Sequence, residues 1–402
     1  MENGATARRL RGTWLILWSL VTIGLVGFVV QLLGSHPERA WQAYLINFLL
    51  WSAVAQGALL FSAVMRITKA RWSGPLDGLA ESFAAFFPIS LVLFLVLFLG
   101  RDHIFPWAHE TMPGKEHWLN VPFLFTRDLA GLLILYGLGW AYVSQALGLR
   151  GADSQTQEGS PGFVSKWLIR GQRSRERSLK RLNVLSVLYI LAYAFVLSLL
   201  AFDLLMSMDP HWISTLFGAY SFVKAFYVGL GALIILAAIF FIRHGEAAGI
   251  SPTHFHNLGK LFFAFGLLWA DFFYCQLVVI WYGNISEETS YIIARTMIQP
   301  WKTLTWTVFV VCFIVPFLIL LNRRIKMKPR VMLVLSAFVL IGIWLEHLLL
   351  VGPALNPQAS RMPLGIADGL ISLGFIGLMA LAVTYYFNVF PGIIPEKIRG
   401  HG

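Results

Sequence analysis

The sequence predicts an all-α integral membrane protein of about ten transmembrane helices, and three observations carry that prediction. Apolar residues make up 57% of the 402-residue chain and charged residues only 13%, whereas a soluble domain carries about 25% charged residues. Too little polar surface remains to coat a globule in water. Apolar runs of the length that an approximately 30 Å hydrocarbon layer demands recur from end to end, and no soluble domain of useful size fits between them. At that length in lipid only a helix satisfies its own backbone. The third observation is where the basic residues fall, which follows the walk along the chain.

The runs lie at 13–34, 42–65, 79–100, 122–148, 182–206, 213–242, 256–282, 301–321, 331–350 and 365–390. The first is Arg-flanked, long, and lacks a small-residue cleavage site, so it reads as a retained helix rather than a signal peptide. The largest break, 149–181, is Gly-, Ser- and Gln-bearing and strongly basic (Lys166, Arg170, Arg173, Arg175, Arg177, Lys180, Arg181). It predicts a loop, with an amphipathic turn on the lipid headgroups. The fifth run ends Phe202-Asp203 with Pro210 seven residues past the acid, and the ninth ends Leu345-Glu346-His347 with Pro353 seven residues past its acid. This spacing suggests two four-helix repeats, 41–210 and 211–353, within a single transmembrane domain, 1–402; repeats that meet around a site are common in membrane folds.

Of the Lys and Arg residues, 23 fall at the termini-side loops and 7 on the other side, with Lys224 inside the sixth run. Basic residues mark the cytoplasmic side, so both termini are expected in the cytoplasm. The formal net charge of +11 therefore reflects helix orientation, not a nucleic-acid-binding face. Cys275 and Cys312 each lie inside an apolar run; no CxxC, CxxCH or four-cysteine set exists, which excludes c-type haem, iron–sulfur and thiolate-zinc ligation within this chain. His347 has no second intramembrane histidine to face, so no b-type haem is expected.

A charge near the bilayer centre costs at least ~2.5–3.5 kcal/mol on insertion scales, so intramembrane ionisable groups point to function. The candidates are Asp203, Lys224, Asp271, Glu346, His347 and Asp368, at mid-membrane or in the outer half, and Glu81 at the inner end of the third run. Together they suggest a proton relay or a ligand site that exchanges protons. Each has a structural alternative. Asp203 and Asp368 are near enough to helix ends to act as caps, Lys224 could pair with a neighbouring acid, and Glu81 could be an interfacial acid. Asp271 is the hardest to explain that way, because ten or more apolar residues flank it on either side.

Two segments are more specific than composition. One is AFDLLMSMDPHWISTLFG at 201–218; the other is WYGNISEETSY at 281–291, followed by Arg295, with Asn-Leu-Gly-Lys at 257–260 upstream. With the ten runs around them, they resemble the NrfD/polysulfide-reductase-like membrane subunits of alternative complex III, a quinol:cytochrome c (or other acceptor) oxidoreductase, and the second, shorter quinone-binding subunit in particular. The resemblance spans essentially the whole chain. It implies two four-helix bundles plus outer helices in a bacterial inner membrane. It also implies partners that carry the electrons: multihaem cytochromes c, a peripheral iron–sulfur protein and a second subunit of the same type. No redox cofactor would be held by this chain itself. The motif positions carried over are Asp203, Asp209, His211, Trp212, Tyr282, Asn284, Glu287, Glu288 and Arg295; Ser286 stands where the family more often has proline. The residues leave three other classes open: a proton-conducting subunit with Glu81 and Asp271 in half-channels from opposite faces, a secondary transporter, and a membrane scaffold.

Overall fold

The computed structural model describes residues 2–109, 114–153 and 175–393. The chain is an all-α integral membrane protein: among the described residues, ten helices are long and apolar enough to cross a membrane. They are α1 (Gly12–Leu32), α2 (Pro37–Ile67), α3 (Gly74–Ile104), α4 (Val121–Gly151), α5 (Arg175–Met208), α6 (Leu216–His244), α7 (Pro252–Gly283), α9 (Trp301–Leu320), α10 (Pro329–Leu355) and α11 (Ile366–Val389). A short helix, α8 (Ser286–Thr296), lies between α7 and α9.

Helices α2 to α5 pack as one group and α6, α7, α9 and α10 as another, with α2 and α6 meeting at the centre; α1 and α11 pair with each other and lie against α2. Lipid tails are as apolar as leucine, so burial of apolar surface does not draw such helices together, and close backbone approach does. At the central seam a Cβ on Gly57 would sit 1.9 Å from the Ala225 carbonyl oxygen, and one on Gly229 would sit 2.2 Å from the Gly57 carbonyl carbon. The outer pair repeats the device, since a Cβ on Gly24 would lie 2.3 Å from the Gly374 Cα.

Two spanning helices carry an interruption just before a proline. In α3 a 3₁₀ turn, Phe83–Phe86, precedes Pro88. In α9 a π turn, Val310–Ile314, precedes Pro316. Proline has no N–H to give the carbonyl four residues back, and in lipid that carbonyl needs another donor. Side chains from neighbouring helices supply it. The Trp140 indole donates to the Ala84 carbonyl at 3.2 Å, and the Tyr227 hydroxyl donates to the Cys312 carbonyl at 3.0 Å.

The predicted loop 149–181 is corrected at both edges: α4 remains helical to Asp153 and α5 starts at Arg175. Charged residues leave the hydrocarbon there without leaving the helix. Residues 154–174, which include Lys166, Arg170 and Arg173 and the predicted amphipathic turn, lie outside the described residues. Arg127, just inside the fourth run, belongs to the first turns of α4, where a buried acid holds it.

Candidate functional site

The turn after α5, helix α8 and the α10–α11 loop share one face of the bundle, here called the motif face because both sequence motifs lie on it. Beneath it α6, α7 and α10 converge on Glu346, which is fully buried. Lys224 Nζ lies 3.1 Å from Glu346 Oε1, the Tyr220 hydroxyl donates to the same oxygen, and the Trp269 indole donates to Oε2 at 3.2 Å. Tyr220 and Lys224 are four residues apart, the spacing that puts two side chains on one face of a helix. A buried ion pair holds only when further hydrogen bonds satisfy its remaining lone pairs, and here a hydroxyl and an indole do so. His347, next along α10, makes no hydrogen bond to Glu346 and bonds its own helix instead. Its Nδ1 sits 2.8 Å from the Ile343 carbonyl, and because a carbonyl only accepts, that nitrogen carries the proton.

Tyr220 also lines a narrow slot, with about 60 Å³ open to the centres of water molecules. Its walls include Trp212, Phe217, Phe273 and Tyr291. Trp212 stacks on Tyr291 with centroids 3.7 Å apart and planes 10° from parallel. The Arg295 guanidinium carbon lies 3.5 Å from the Tyr291 centroid. Arg295 donates to the backbone carbonyls of Tyr291 at 3.1 Å and Leu350 at 2.9 Å, and its Nη1 is 3.8 Å from Asp209 Oδ2. Gln276 accepts a hydrogen bond from the Ser214 hydroxyl at 2.9 Å. Three buried donors of this slot have no acceptor: Arg295 Nε, Trp212 Nε1 and Gln276 Nε2. Buried polar atoms left unpaired are rare and call for an explanation. Burial pushes the Tyr291 hydroxyl up to about 12 and lowers Arg295 from its ordinary value.

Asp203 lies near the same face but in the other helix group. It is wholly buried, and Arg127 grips it as a fork, with Nε and Nη2 each 2.5 Å from one carboxylate oxygen. Arg127 Nη1 donates to the Trp118 carbonyl at 2.9 Å, and the guanidinium sits 3.9 Å from the Trp118 ring and 4.8 Å from the Phe123 ring. Asp128, next to Arg127 in sequence, is buried with no donor on either carboxylate oxygen.

Glu81 lies at the opposite face. Arg150 forks it at 2.6 and 2.7 Å, Ser62 donates to it at 3.0 Å, and Ser62 bonds Tyr142 at 2.8 Å. Further along the buried side of α2, Gln56 takes the Tyr189 hydroxyl at 2.8 Å, and Ser52 reaches Tyr136 through Ser90 in bonds of 2.6 and 2.7 Å.

Thus the structure joins Lys224 to Glu346 and sets Asp203, Glu81 and Asp271 apart from that pair and from one another. Asp271 is exposed on the outer surface of α7, where the Cys275 thiol lies 3.9 Å away. Asp368 caps α11, taking the Gly365 backbone N–H at 2.7 Å. Of the motif residues, Trp212 and Arg295 form the slot and Asp209 faces Arg295. His211 is exposed and Tyr282 is 87% exposed. Asn284 ends α7 in the left-handed conformation, φ 47°, which asparagine tolerates at a helix end. Glu287 and Glu288 occupy the first turn of α8, where the helix dipole favours carboxylates. Tyr220, Trp269, Gln276, Arg127 and Arg150 escape a search for intramembrane charge, because three are uncharged and two sit near run ends. The i, i+4 spacing of Tyr220 and Lys224 was the available signal.

No protein-family model matches the chain, and no curated protein matches it.

Proposed function

We propose that this chain is a membrane subunit of a quinol-oxidising electron-transfer complex, and that the slot at Trp212, Tyr220 and Arg295 receives the quinone ring. The observation that carries the reading is the trio of acceptor-less donors in an aromatic-walled slot, one wall of which is Tyr220, bonded in turn to a buried carboxylate. A quinone offers a flat ring and two carbonyl acceptors. The slot offers flat walls and donors with nothing to bind.

Quinol oxidation breaks two O–H bonds and releases two protons and two electrons. In this reading the Tyr220 hydroxyl takes a proton from one ring hydroxyl while handing its own to Glu346, Lys224 holds that carboxylate in place, and the proton of the second ring hydroxyl leaves to water at the motif face. Such positioned proton transfer contributes about 10²–10⁴-fold in rate. The electrons pass to a haem c or iron–sulfur centre on a partner subunit, in keeping with the resemblance to alternative complex III. The excess of Lys and Arg on the opposite face supports an orientation in which the motif face looks outward and both termini are cytoplasmic; a bacterial inner membrane is what the resemblance implies.

A second reading, proton conduction, is favoured by the line of hydroxyl and amide groups along α2 from Glu81 toward Ser52. It would use the first helix group and leave the slot unused. One experiment separates the two. In the assembled complex, Glu346→Gln should lower quinol-dependent reduction of the acceptor about 100-fold with partner haem still co-purifying, whereas Glu81→Gln should lower proton yield per electron. Undiminished turnover in Glu346→Gln would remove the slot from quinol chemistry.

A further inference from the structure

Helix α7 works on two sides. Its inner side sends Trp269 to Glu346, and its outer side carries Lys260, Ala264, Leu267, Leu268, Asp271 and Tyr274, all exposed. These residues recur every three or four positions, so they form one stripe along the helix. Apart from α1, no spanning helix buries a smaller share of its apolar stretch than α7. Asp271 is 12 residues from the helix end at Gly283, or about 18 Å along the axis at 1.5 Å per residue. That depth puts a carboxylate in hydrocarbon, facing outward. Among the described residues the only side chain that reaches it is the Cys275 thiol, one turn along the same helix.

An acid held at this depth needs a donor that lipid lacks. Among the described residues a second copy of this chain supplies none: the intramembrane cations Lys224 and Arg127 are already taken, by Glu346 and Asp203. A two-fold contact through this stripe would also set two Asp271 carboxylates against each other. Ala264 leaves room for close helix approach, and Leu267, Leu268 and Tyr274 supply apolar and aromatic area on either side of the acid.

We propose that this stripe seats a transmembrane helix of a different subunit, which places a lysine or arginine against Asp271. The inference rests on the membrane-spanning fold and on Asp271 facing outward, and it stands whether or not the slot binds quinol.

The test uses the full complex, purified through a tag on this chain. A photo-reactive benzoylphenylalanine is placed at Leu268 or at Tyr274, and the cross-linked peptide is sequenced. The expected adduct is a transmembrane segment of another subunit with a lysine or arginine within about one helical turn of the attachment point. Asp271→Leu should lower recovery of that same subunit at least tenfold under detergent challenge, and exchanging the two charges between the partners should restore it. Asp271→Leu removes an outward-facing charge, so the chain purified alone should keep its thermal melting profile, which separates lost docking from lost folding. Adducts to a second copy, to lipid alone, or to a segment with no basic residue would overturn the proposal. So would unchanged recovery in Asp271→Leu.

Discussion

Asp203 and Glu346 look like equivalents in the sequence, each closing a helix with a proline seven residues further on, yet the structure surrounds them differently. Arg127 closes on Asp203 as a fork, and aromatic rings cover the guanidinium. Nothing in that arrangement leaves a donor waiting. Glu346 is instead bound by a single-point cation, a hydroxyl and an indole, and the hydroxyl belongs to a slot where three further donors lack acceptors. Arginine matches a carboxylate with two parallel bonds and holds it rigidly, while lysine is a point charge that leaves an oxygen free for other partners. The first pair ties α4 to α5. The second bonds a carboxylate to a hydroxyl that lines the slot.

Variants can break this contrast. The largest effect is expected when Arg127→Ala leaves Asp203 buried and uncompensated, at a cost of about 3–5 kcal/mol. It should show as lost accumulation of the chain in membranes, measured by immunoblot, before any question of turnover arises. Glu346→Gln should accumulate better than Arg127→Ala, because glutamine still accepts from Tyr220 and Lys224 although Lys224 loses its counter-charge, and the fraction that accumulates should lose turnover. A variant pair with the reverse pattern would mean that the roles of the two acids are exchanged.

Smaller changes sharpen the contrast. Trp212→Phe keeps the ring that stacks on Tyr291 and deletes one of the unpaired donors. Loss of one hydrogen bond of about 1 kcal/mol predicts a severalfold rise in KM for quinol and little change in kcat. Arg127→Lys should cost stability through loss of the fork without moving KM. The least effect is expected from Tyr291→Phe. Burial holds the Tyr291 hydroxyl up to about 12, so raising the pH from about 6 to 9 leaves it protonated. Its removal should leave the shape of the pH–rate profile unchanged, and a profile that shifts would give Tyr291 the proton-transfer role assigned to Tyr220.

The spans were readable because hydrophobic length is a local property. The run at 256–282 and helix Pro252–Gly283 differ by a few residues, and the differences arise where charged turns stay helical beyond the hydrocarbon. Sequence also located every acid discussed above except Asp128. Partners were not readable. Arg127 sits close to the start of its run, where a cation is ordinary, and only the fold brings it to Asp203, 76 residues away. The direction of Asp271 was equally hidden. Apolar residues surround it on all sides of α7, and a helix without an amphipathic pattern does not announce which side faces inward. Tyr220 and Trp269 carry no charge, and aromatic residues are common at membrane interfaces, so nothing in composition separates them from the remaining aromatic residues.

The proposed function assigns the chemistry to Glu346 and the slot beside Tyr220, and a structural role to the Asp203 fork. The most direct measurement compares quinol-dependent acceptor reduction in assembled complexes carrying Glu346→Gln or Asp203→Asn, each normalised to co-purified haem. Turnover should fall about 100-fold in Glu346→Gln and stay near normal in whatever fraction of Asp203→Asn assembles. Full activity in Glu346→Gln, with turnover lost per assembled complex in Asp203→Asn, would contradict this assignment.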